Sequence, residues 1–130
     1  SMELNDFSLP ETNNNLVIEG AGGCAVPLND HVTYGHLIKK WDCKTFLVVK
    51  NYLGSINHTL LSLAYMKSLN IDIAGIIISG ATNPNSERSY EIHGQVPIVA
   101  RVPWANKLTR SFVQEQSELL KEKLERFIEV

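Results

Sequence analysis

The chain has 130 residues, of which 44% are hydrophobic and 20% charged, and its formal net charge is −2. This length and composition fit one soluble globular domain, and the weak charge gives no reason to expect nucleic acid or an anionic membrane as a partner. No apolar run approaches the roughly 18 residues that span a bilayer, and the absence of a charged-then-apolar start leads us to expect no secretory signal. Cys24 and Cys43 have no C-x-x-C spacing, which predicts a reducing, cytoplasmic location rather than a disulfide framework.

The first predicted element is a short buried strand over residues 16–19, where an apolar run ends in the carboxylate of Glu19. Four small residues follow directly, Gly20, Ala21, Gly22 and Gly23. Glycine at the carboxyl edge of a parallel sheet lets backbone N–H groups approach an anion closely, and a carboxylate there commonly holds Mg²⁺ beside phosphates. A β–α turn can also use glycine for purely structural reasons. The 130 residues contain no G-x-x-x-x-G-K-[ST] loop, so only half of a nucleotide site is visible.

Helices and strands alternate through the rest of the sequence. Helices are predicted over residues 33–41, 56–69 and 86–93, and strands over residues 45–49, 74–78 and 98–102. The strand over 45–49 has no polar alternation, which predicts that both of its faces are covered. A final amphipathic helix is predicted from Ser111, with a capping box to Gln114 and an apolar stripe of Phe112, Leu119, Leu120, Phe127 and Ile128. Four strands alternating with helices predict an α/β fold with a parallel sheet and flanking helices.

Three further segments follow predicted strands and would lie at one edge of the sheet, where open α/β sheets bind ligands. Residues 51–58 follow a strand and open a helix, so their N–H groups and the helix dipole favour an anion. Ser55 or Asn57 alone could instead serve only as an N-cap. Residues 79–84 follow the next strand. Trp104 follows the last strand, where its ring could stack on a base or cover the core.

Together these segments resemble dethiobiotin synthetase, the ATP-dependent ligase of the penultimate step of biotin synthesis. The run Asn-Tyr-Leu-Gly-Ser-Ile-Asn-His-Thr-Leu-Leu carries most of the resemblance. The matching segments are residues 17–23, 27–28, 51–61, 74–76 and 102–104. The resemblance implies that residues 1–130 are the C-terminal portion of a single dethiobiotin synthetase-like domain. It also implies a P-loop NTPase-like fold that lacks its N-terminal phosphate-loop strand.

In that family CO₂ is fixed onto 7,8-diaminononanoate (diaminopelargonate) as a carbamate, which ATP phosphorylates before the ring closes. The resemblance implies Glu19 as a ligand of Mg²⁺. It implies a substrate-binding set of Gly22, Gly54, Ser55, Asn57 and Tyr90, of which the last four hold the distal carboxylate at the interface of a homodimer. It implies a nucleotide-binding set of Gly22, Gly23, Ser79, Pro103 and Trp104.

The sequence departs from the family pattern in two respects. Ser79 stands where relatives carry a base-reading asparagine, and serine offers fewer fixed donors and acceptors. The phosphate loop and the family's lysines are absent from the 130 residues, so the transition-state charge would have almost no cationic support. We therefore expect no catalysis by this chain alone, and we predict that a separately encoded N-terminal half, a segment swapped from a neighbouring copy or a rearranged sheet takes the place of the missing strand.

The missing strand also has a consequence for folding. In the family's sheet the phosphate-loop strand lies between the strands predicted at 16–19 and 45–49, so its absence would leave apolar faces and an unpaired edge. We expect the chain alone to be oligomeric or poorly soluble. The alternative function is a non-catalytic interaction or regulatory module of the same fold, whereas residues 51–61 argue against a different ligase of the superfamily.

Overall fold

A computed structural model describes residues 3–127, and over that range four α-helices alternate with three β-strands. The elements are α1 (Tyr34–Trp41), β1 (Thr45–Val49), α2 (Ser55–Ser68), β2 (Ile73–Ser79), α3 (Pro84–Gly94), β3 (Ile98–Val102) and α4 (Arg110–Leu124), with 3₁₀ turns at Leu4–Asp6 and Glu125–Phe127. The strands form one parallel sheet in the order β1-β2-β3. The predicted α/β fold with a parallel sheet and flanking helices is confirmed.

The hydrophobic core lies on one face of this sheet. Val49 pairs with Ile78 in the parallel register of β1 and β2, so both side chains point to the same side. They pack with Leu63 of α2 and Tyr90 of α3, which are 1% and 0% exposed. Burying side chains of this size contributes roughly 1.5–3 kcal/mol each. This packing fixes the starts of α2 and α3 relative to the carboxyl edge of the sheet.

The segment predicted as the first strand, residues 16–19, is not a strand in the structure. Val17 is 92% exposed, and its neighbours Leu16 and Ile18 are also exposed. A strand satisfies its backbone groups only by pairing with a neighbour. The described residues provide no strand between this segment and β1, which explains why the prediction is wrong and why the sheet has three strands rather than four.

The second face of β1 is covered only in part, although both faces were predicted to be buried. Phe46 contacts Phe127 edge-on, with ring centroids 5.4 Å apart. Val48, which lies on the same side of the strand as Phe46, is 63% exposed. The reason is that α4 packs against β3, at the opposite edge of the sheet from β1.

The last helix begins earlier than predicted and uses a different cap. Thr109 is its N-cap, and the Thr109 hydroxyl accepts a hydrogen bond from the Phe112 N–H at 3.2 Å. The predicted capping box between Ser111 and Gln114 is therefore wrong. No helix within residues 3–127 combines the length and the apolar character needed to cross a membrane.

The apolar stripe predicted for α4 is confirmed only in part. Phe112 and Leu120 are half-buried, but Leu119 is 48% exposed. Phe112, Gln116 and Leu120 share one face of the helix, because residues four apart lie above one another. The buried residue on this face is the polar Gln116. Ile128 lies outside the described residues.

Candidate functional site

The carboxyl ends of all three strands meet at one edge of the sheet, as parallel pairing requires. The Gly80 N–H donates a hydrogen bond to the Val102 carbonyl at 2.8 Å, which joins the ends of β2 and β3. Ser79 and Pro103 are exposed there. These positions lie at one edge, as the sequence predicted.

Trp104 follows β3 at this edge and is 70% exposed. The Lys50 ammonium, which follows β1, lies 5.6 Å from the centroid of the indole ring. This separation allows a cation–π interaction. Because the side chain is largely exposed, the alternative in which Trp104 covers the core is wrong.

Several side chains near the start of α2 are joined by a continuous series of hydrogen bonds. The Ser55 and Tyr90 hydroxyl oxygens are 2.7 Å apart, and the Tyr90 hydroxyl donates to Asn51 Oδ1 at 2.7 Å. Asn51 Nδ2 donates in turn to the Ala81 carbonyl and to Glu87 Oε1, both at 3.0 Å. We call Ser55, Tyr90, Asn51, Glu87 and Arg101 the edge network.

Glu87 is the charged centre of the edge network, and its side chain is 7% exposed. Oε1 also accepts the Asn83 N–H at 2.8 Å, and Oε2 accepts Arg101 Nε and Nη2 at 3.1 and 2.8 Å. Burial alone would raise the pKa of Glu87, but the bonds from Asn83, Arg101 and Asn51 outweigh it, so the pKa lies below its ordinary value. Glu87 is therefore an ionised buried carboxylate at neutral pH.

Sequence reasoning did not single out Asn51, Glu87 or Arg101 as site residues. One available signal was Arg101, a charged residue inside an apolar strand, because buried charges require partners. A second was the spacing of Glu87 and Tyr90, which places both side chains on one face of α3. Neither signal shows that Glu87 and Arg101 bind each other, because they lie on different elements, α3 and β3.

The start of α2 presents the other predicted substrate-binding residues. Gly54 is the N-cap with φ +97°, a conformation that favours glycine; the N-cap alternative for Ser55 or Asn57 is thus wrong. Ser55 is 2% exposed, whereas Asn57 is exposed. The Ser55 N–H donates to the Tyr52 carbonyl at 3.0 Å. The next N–H groups of the first turn lack intrahelical acceptors, which leaves a local preference for an anion.

The glycine turn is anchored to the start of α1. Gly22 and Gly23 have φ of +79° and +114°. The Gly35 N–H donates to the Cys24 carbonyl at 2.7 Å, and the Val26 N–H donates to the Gly23 carbonyl at 3.2 Å. Burial raises the pKa of the Cys24 thiol, which disfavours the reactive thiolate. The turn therefore keeps the open backbone that an anion needs, but Cys24 is not an activated nucleophile.

Glu19 is exposed just before this turn. No described hydrogen bond or ion pair joins it to the edge network, and residues 3–127 contain no group of three or more His, Cys, Asp or Glu side chains suited to a metal. Mg²⁺ is often held by one or two carboxylates together with phosphate oxygens and water. A single carboxylate at this position fits that donor set only when a phosphate supplies the remaining oxygens.

A family model described as an AAA domain matches residues 1–111. The ATP-dependent dethiobiotin synthetase BioD of Christiangramia forsetii is 42% identical over 123 residues, which cover 95% of this chain and 59% of the relative. The enzyme of the same name from Cytophaga hutchinsonii is 44% identical over 108 residues, 82% of this chain and 52% of the relative. That from Brucella ovis is 38% identical over 104 residues, 80% of this chain and 49% of the relative. The chain thus spans about half to three-fifths of the length of these relatives.

Proposed function

The chain belongs to the AAA domain family, and on that premise we propose that it is the C-terminal portion of an ATP-dependent dethiobiotin synthetase. The observation that carries the proposal is the 42% identity with a named dethiobiotin synthetase across 95% of the chain. The proposed reaction joins CO₂ to 7,8-diaminononanoate and closes the ring with ATP. It demands positioning and charge neutralisation more than a protein nucleophile.

The substrate carboxylate is assigned to the start of α2. Gly54 and the exposed Asn57 border the first-turn N–H groups, and the helix dipole favours a negative charge there. Ser55 and Tyr90 stand directly behind this turn. Gly22, with its open backbone, is assigned to the carbamate end of the substrate.

The nucleotide is assigned to the strand ends and the glycine turn. Trp104 offers an exposed ring for the adenine, with Pro103 and Ser79 at the same edge, and Gly22 and Gly23 offer close backbone approach to the phosphates. Glu19 would hold Mg²⁺, which neutralises phosphate charge when it is bound. The cationic phosphate loop would come from a segment outside these 130 residues.

Two partners belong to the proposal. A strand from an N-terminal half, or a swapped segment, would pair with the free edge of β1 and cover Val48, which is 63% exposed. A second copy of the chain would cover the apolar side chains around the start of α2, since Leu53 and Leu61 are 101% and 60% exposed. A cytoplasmic location accords with two free cysteines.

The test is reconstitution. The purified chain is mixed with a separately expressed N-terminal segment of a dethiobiotin synthetase that bears a phosphate loop, and dethiobiotin is measured by mass spectrometry with and without ATP. We expect no product from the chain alone and ATP-dependent product from the mixture. A stable complex that makes no product would overturn the ligase assignment and favour the non-catalytic module.

A variant pair tests the Mg²⁺ assignment in the same mixture. Glu19→Ala should abolish most of the product, because phosphate charge then lacks its metal. Glu11→Ala removes another exposed carboxylate and should leave the product unchanged. Equal activity of the two variants would remove Glu19 from the site.

A further inference from the structure

The side chain of His36 forms part of the N-terminal cap of α1. Thr33 is the N-cap residue of this helix, and His36 occupies its third position, from which Glu or Gln usually reaches back to the N-cap N–H. His36 Nδ1 takes that role here and lies 3.1 Å from the backbone nitrogen of Thr33. Because a backbone N–H can only donate, Nδ1 must accept, and the neutral ring therefore carries its proton on Nε2.

Two hydroxyl groups connect this cap to α2. Thr33 Oγ1 lies 3.1 Å from His36 Nδ1, and since Nδ1 accepts, the Thr33 hydroxyl donates this hydrogen bond. A hydroxyl has one proton, so the 2.6 Å contact between Thr33 Oγ1 and the Tyr65 hydroxyl oxygen is donated by Tyr65. The unprotonated Nδ1 thus determines the direction of both hydrogen bonds, and the second one joins the start of α1 to α2.

The glycine turn depends on the same start of α1. The N–H groups of Tyr34 and Gly35 donate to the carbonyls of Val26 and Cys24 at 3.0 and 2.7 Å. Both belong to the first helical turn, whose N–H groups have no intrahelical acceptors, so they hold the segment that directly follows the glycines. A Cβ built on Gly35 would lie 2.9 Å from Tyr65 Cε1, which shows how closely the start of α1 packs on α2. Loss of the cap would therefore loosen the glycine turn as well as the helix.

We propose that His36 is a positioning residue that holds the glycine turn through Thr33 and the start of α1, and that protonation of its ring in mild acid releases the turn. A protonated imidazole has two donors and no acceptor, so the Thr33 N–H would lose its acceptor and face a second N–H. The inference concerns the order of the turn and does not depend on the ligand that the turn binds. One consequence rests on the proposed function, in which the turn contacts phosphate and carbamate: their binding should weaken in acid.

The other charged and titratable groups near the ring come from α1 and α2. Lys39 and Lys40 follow His36 by three and four positions on the helix, and their ammonium groups donate to backbone carbonyls at 2.7 to 2.9 Å. Tyr65 is the titratable group from α2. Within residues 3–127 no ion pair includes His36. Lysine and tyrosine normally keep their protons at pH 8, so the imidazole is the group of this set whose charge changes between pH 5.5 and pH 8.

The first experiment measures hydrogen exchange by mass spectrometry in peptides that cover residues 24–37. The soluble oligomeric chain is compared with His36→Gln at pH 5.5 and at pH 8, at one protein concentration. The glutamine supplies an acceptor that does not titrate. We expect equal protection at pH 8 and about 5-fold faster exchange of the original chain at pH 5.5, which is the effect of losing a typical N-cap interaction. His36→Ala should exchange about 5-fold faster than His36→Gln at both pH values.

His31→Gln is the matched control for this comparison. His31 is exposed, and only its backbone N–H takes part in a described hydrogen bond, so this variant should behave like the original chain. A ratio of exchange rates between the original chain and His36→Gln that is the same at both pH values would overturn the inference. The same pH-dependent difference in residues 84–94 of α3 would also overturn it, because the effect would then belong to the whole fold.

A second measurement uses the original chain alone. Magic-angle-spinning NMR of the chain with ¹⁵N-labelled histidine identifies the His36 ring by its through-space correlation with the Thr33 N–H. We expect the proton on Nε2 at pH 8 and protons on both ring nitrogens at pH 5.5. A proton on Nδ1 at pH 8, a ring still neutral at pH 5.5, or no correlation with Thr33 would each overturn the inference.

A third experiment follows dethiobiotin formation in the reconstituted mixture. The yield with His36→Gln is divided by the yield with the original chain at the same pH, so that protonation of the substrate amines cancels. We expect this ratio to be about 3-fold higher at pH 6.0 than at pH 7.5, because only the original chain loses its cap. A ratio independent of pH would overturn the positioning role of His36. Absence of product from both mixtures would overturn the proposed function instead, and the exchange experiment would still decide the inference.

Discussion

Removal of the charge at Glu87 should destabilise the fold, and the effect should depend on pH. The carboxylate accepts four hydrogen bonds, two of them from Arg101 at 3.1 and 2.8 Å. Glu87→Gln keeps one oxygen for Asn83 and Asn51 but turns an N–H donor toward the guanidinium. Glu87→Ala removes all four acceptors.

The size of the effect follows from burial. Hydrogen bonds to charged groups contribute about 1.5–3 kcal/mol, but the Arg101 side chain is 48% exposed and can be rehydrated when its partner is lost. We expect Glu87→Gln to lower the free energy of unfolding by about 1–2 kcal/mol. Glu87→Ala also leaves the Asn83 N–H and the Asn51 amide without this acceptor, and it should lower the free energy of unfolding by about 2–4 kcal/mol.

The pH dependence follows from the lowered pKa of Glu87 in the folded chain. A carboxyl group that binds its proton less tightly when folded stabilises the fold fully above its unfolded pKa. That contribution disappears as the pH falls through the folded pKa. The difference between the original chain and Glu87→Gln should therefore be largest near neutral pH and shrink in acid.

Urea unfolding of the soluble oligomeric chain, followed by circular dichroism from pH 3 to pH 7.5 at one protein concentration for all variants, would measure this difference. Glu122→Gln, which neutralises an exposed carboxylate on α4, is the matched control and should change stability by less than about 0.5 kcal/mol. A Glu87→Gln effect equal to that of the control, or one independent of pH, would refute the assignment of Glu87 as an ionised buried group.

Three further predictions test the packing. Gly75→Ala places a Cβ 2.5 Å from Val99 Cγ1 and should lower the free energy of unfolding in urea by about 1–3 kcal/mol. Gly75→Ala/Val99→Ala should regain part of that loss, and equal stability of the single and double variants would contradict the close contact. The chain on its own, with a free β1 edge, should sediment as oligomers or precipitate, a prediction that a cooperatively melting monomer would refute. Because burial raises the pKa of Cys24, iodoacetamide should alkylate it more slowly in the folded chain than in urea; equal rates by mass spectrometry would contradict its burial.

The sequence alone predicted most of the fold around the candidate site. The strand Ile98–Val102 was predicted with its observed bounds, and the start of α2 at Ser55 was predicted to within one residue, because local patterns of apolar residues and glycine act within a few residues of the chain. The positive φ of Gly22, Gly23 and Gly54 was likewise predictable from residue type. The predicted strand over residues 16–19 failed because a strand depends on a neighbour, and local pattern does not supply one.

The tertiary structure decided what the site residues do. The glycine turn, the segments after each strand and the resemblance to a ligase family were all determined by the sequence. The exposure of Trp104 and the hydrogen bond from the Tyr90 hydroxyl to Asn51 were not, since each depends on groups distant along the chain. The bond from Tyr90 to Asn51 joins residues 39 positions apart, and packing of α3 on the sheet brings them together. That packing also determines which group donates in this hydrogen bond, because a hydroxyl can donate or accept according to the partner that faces it.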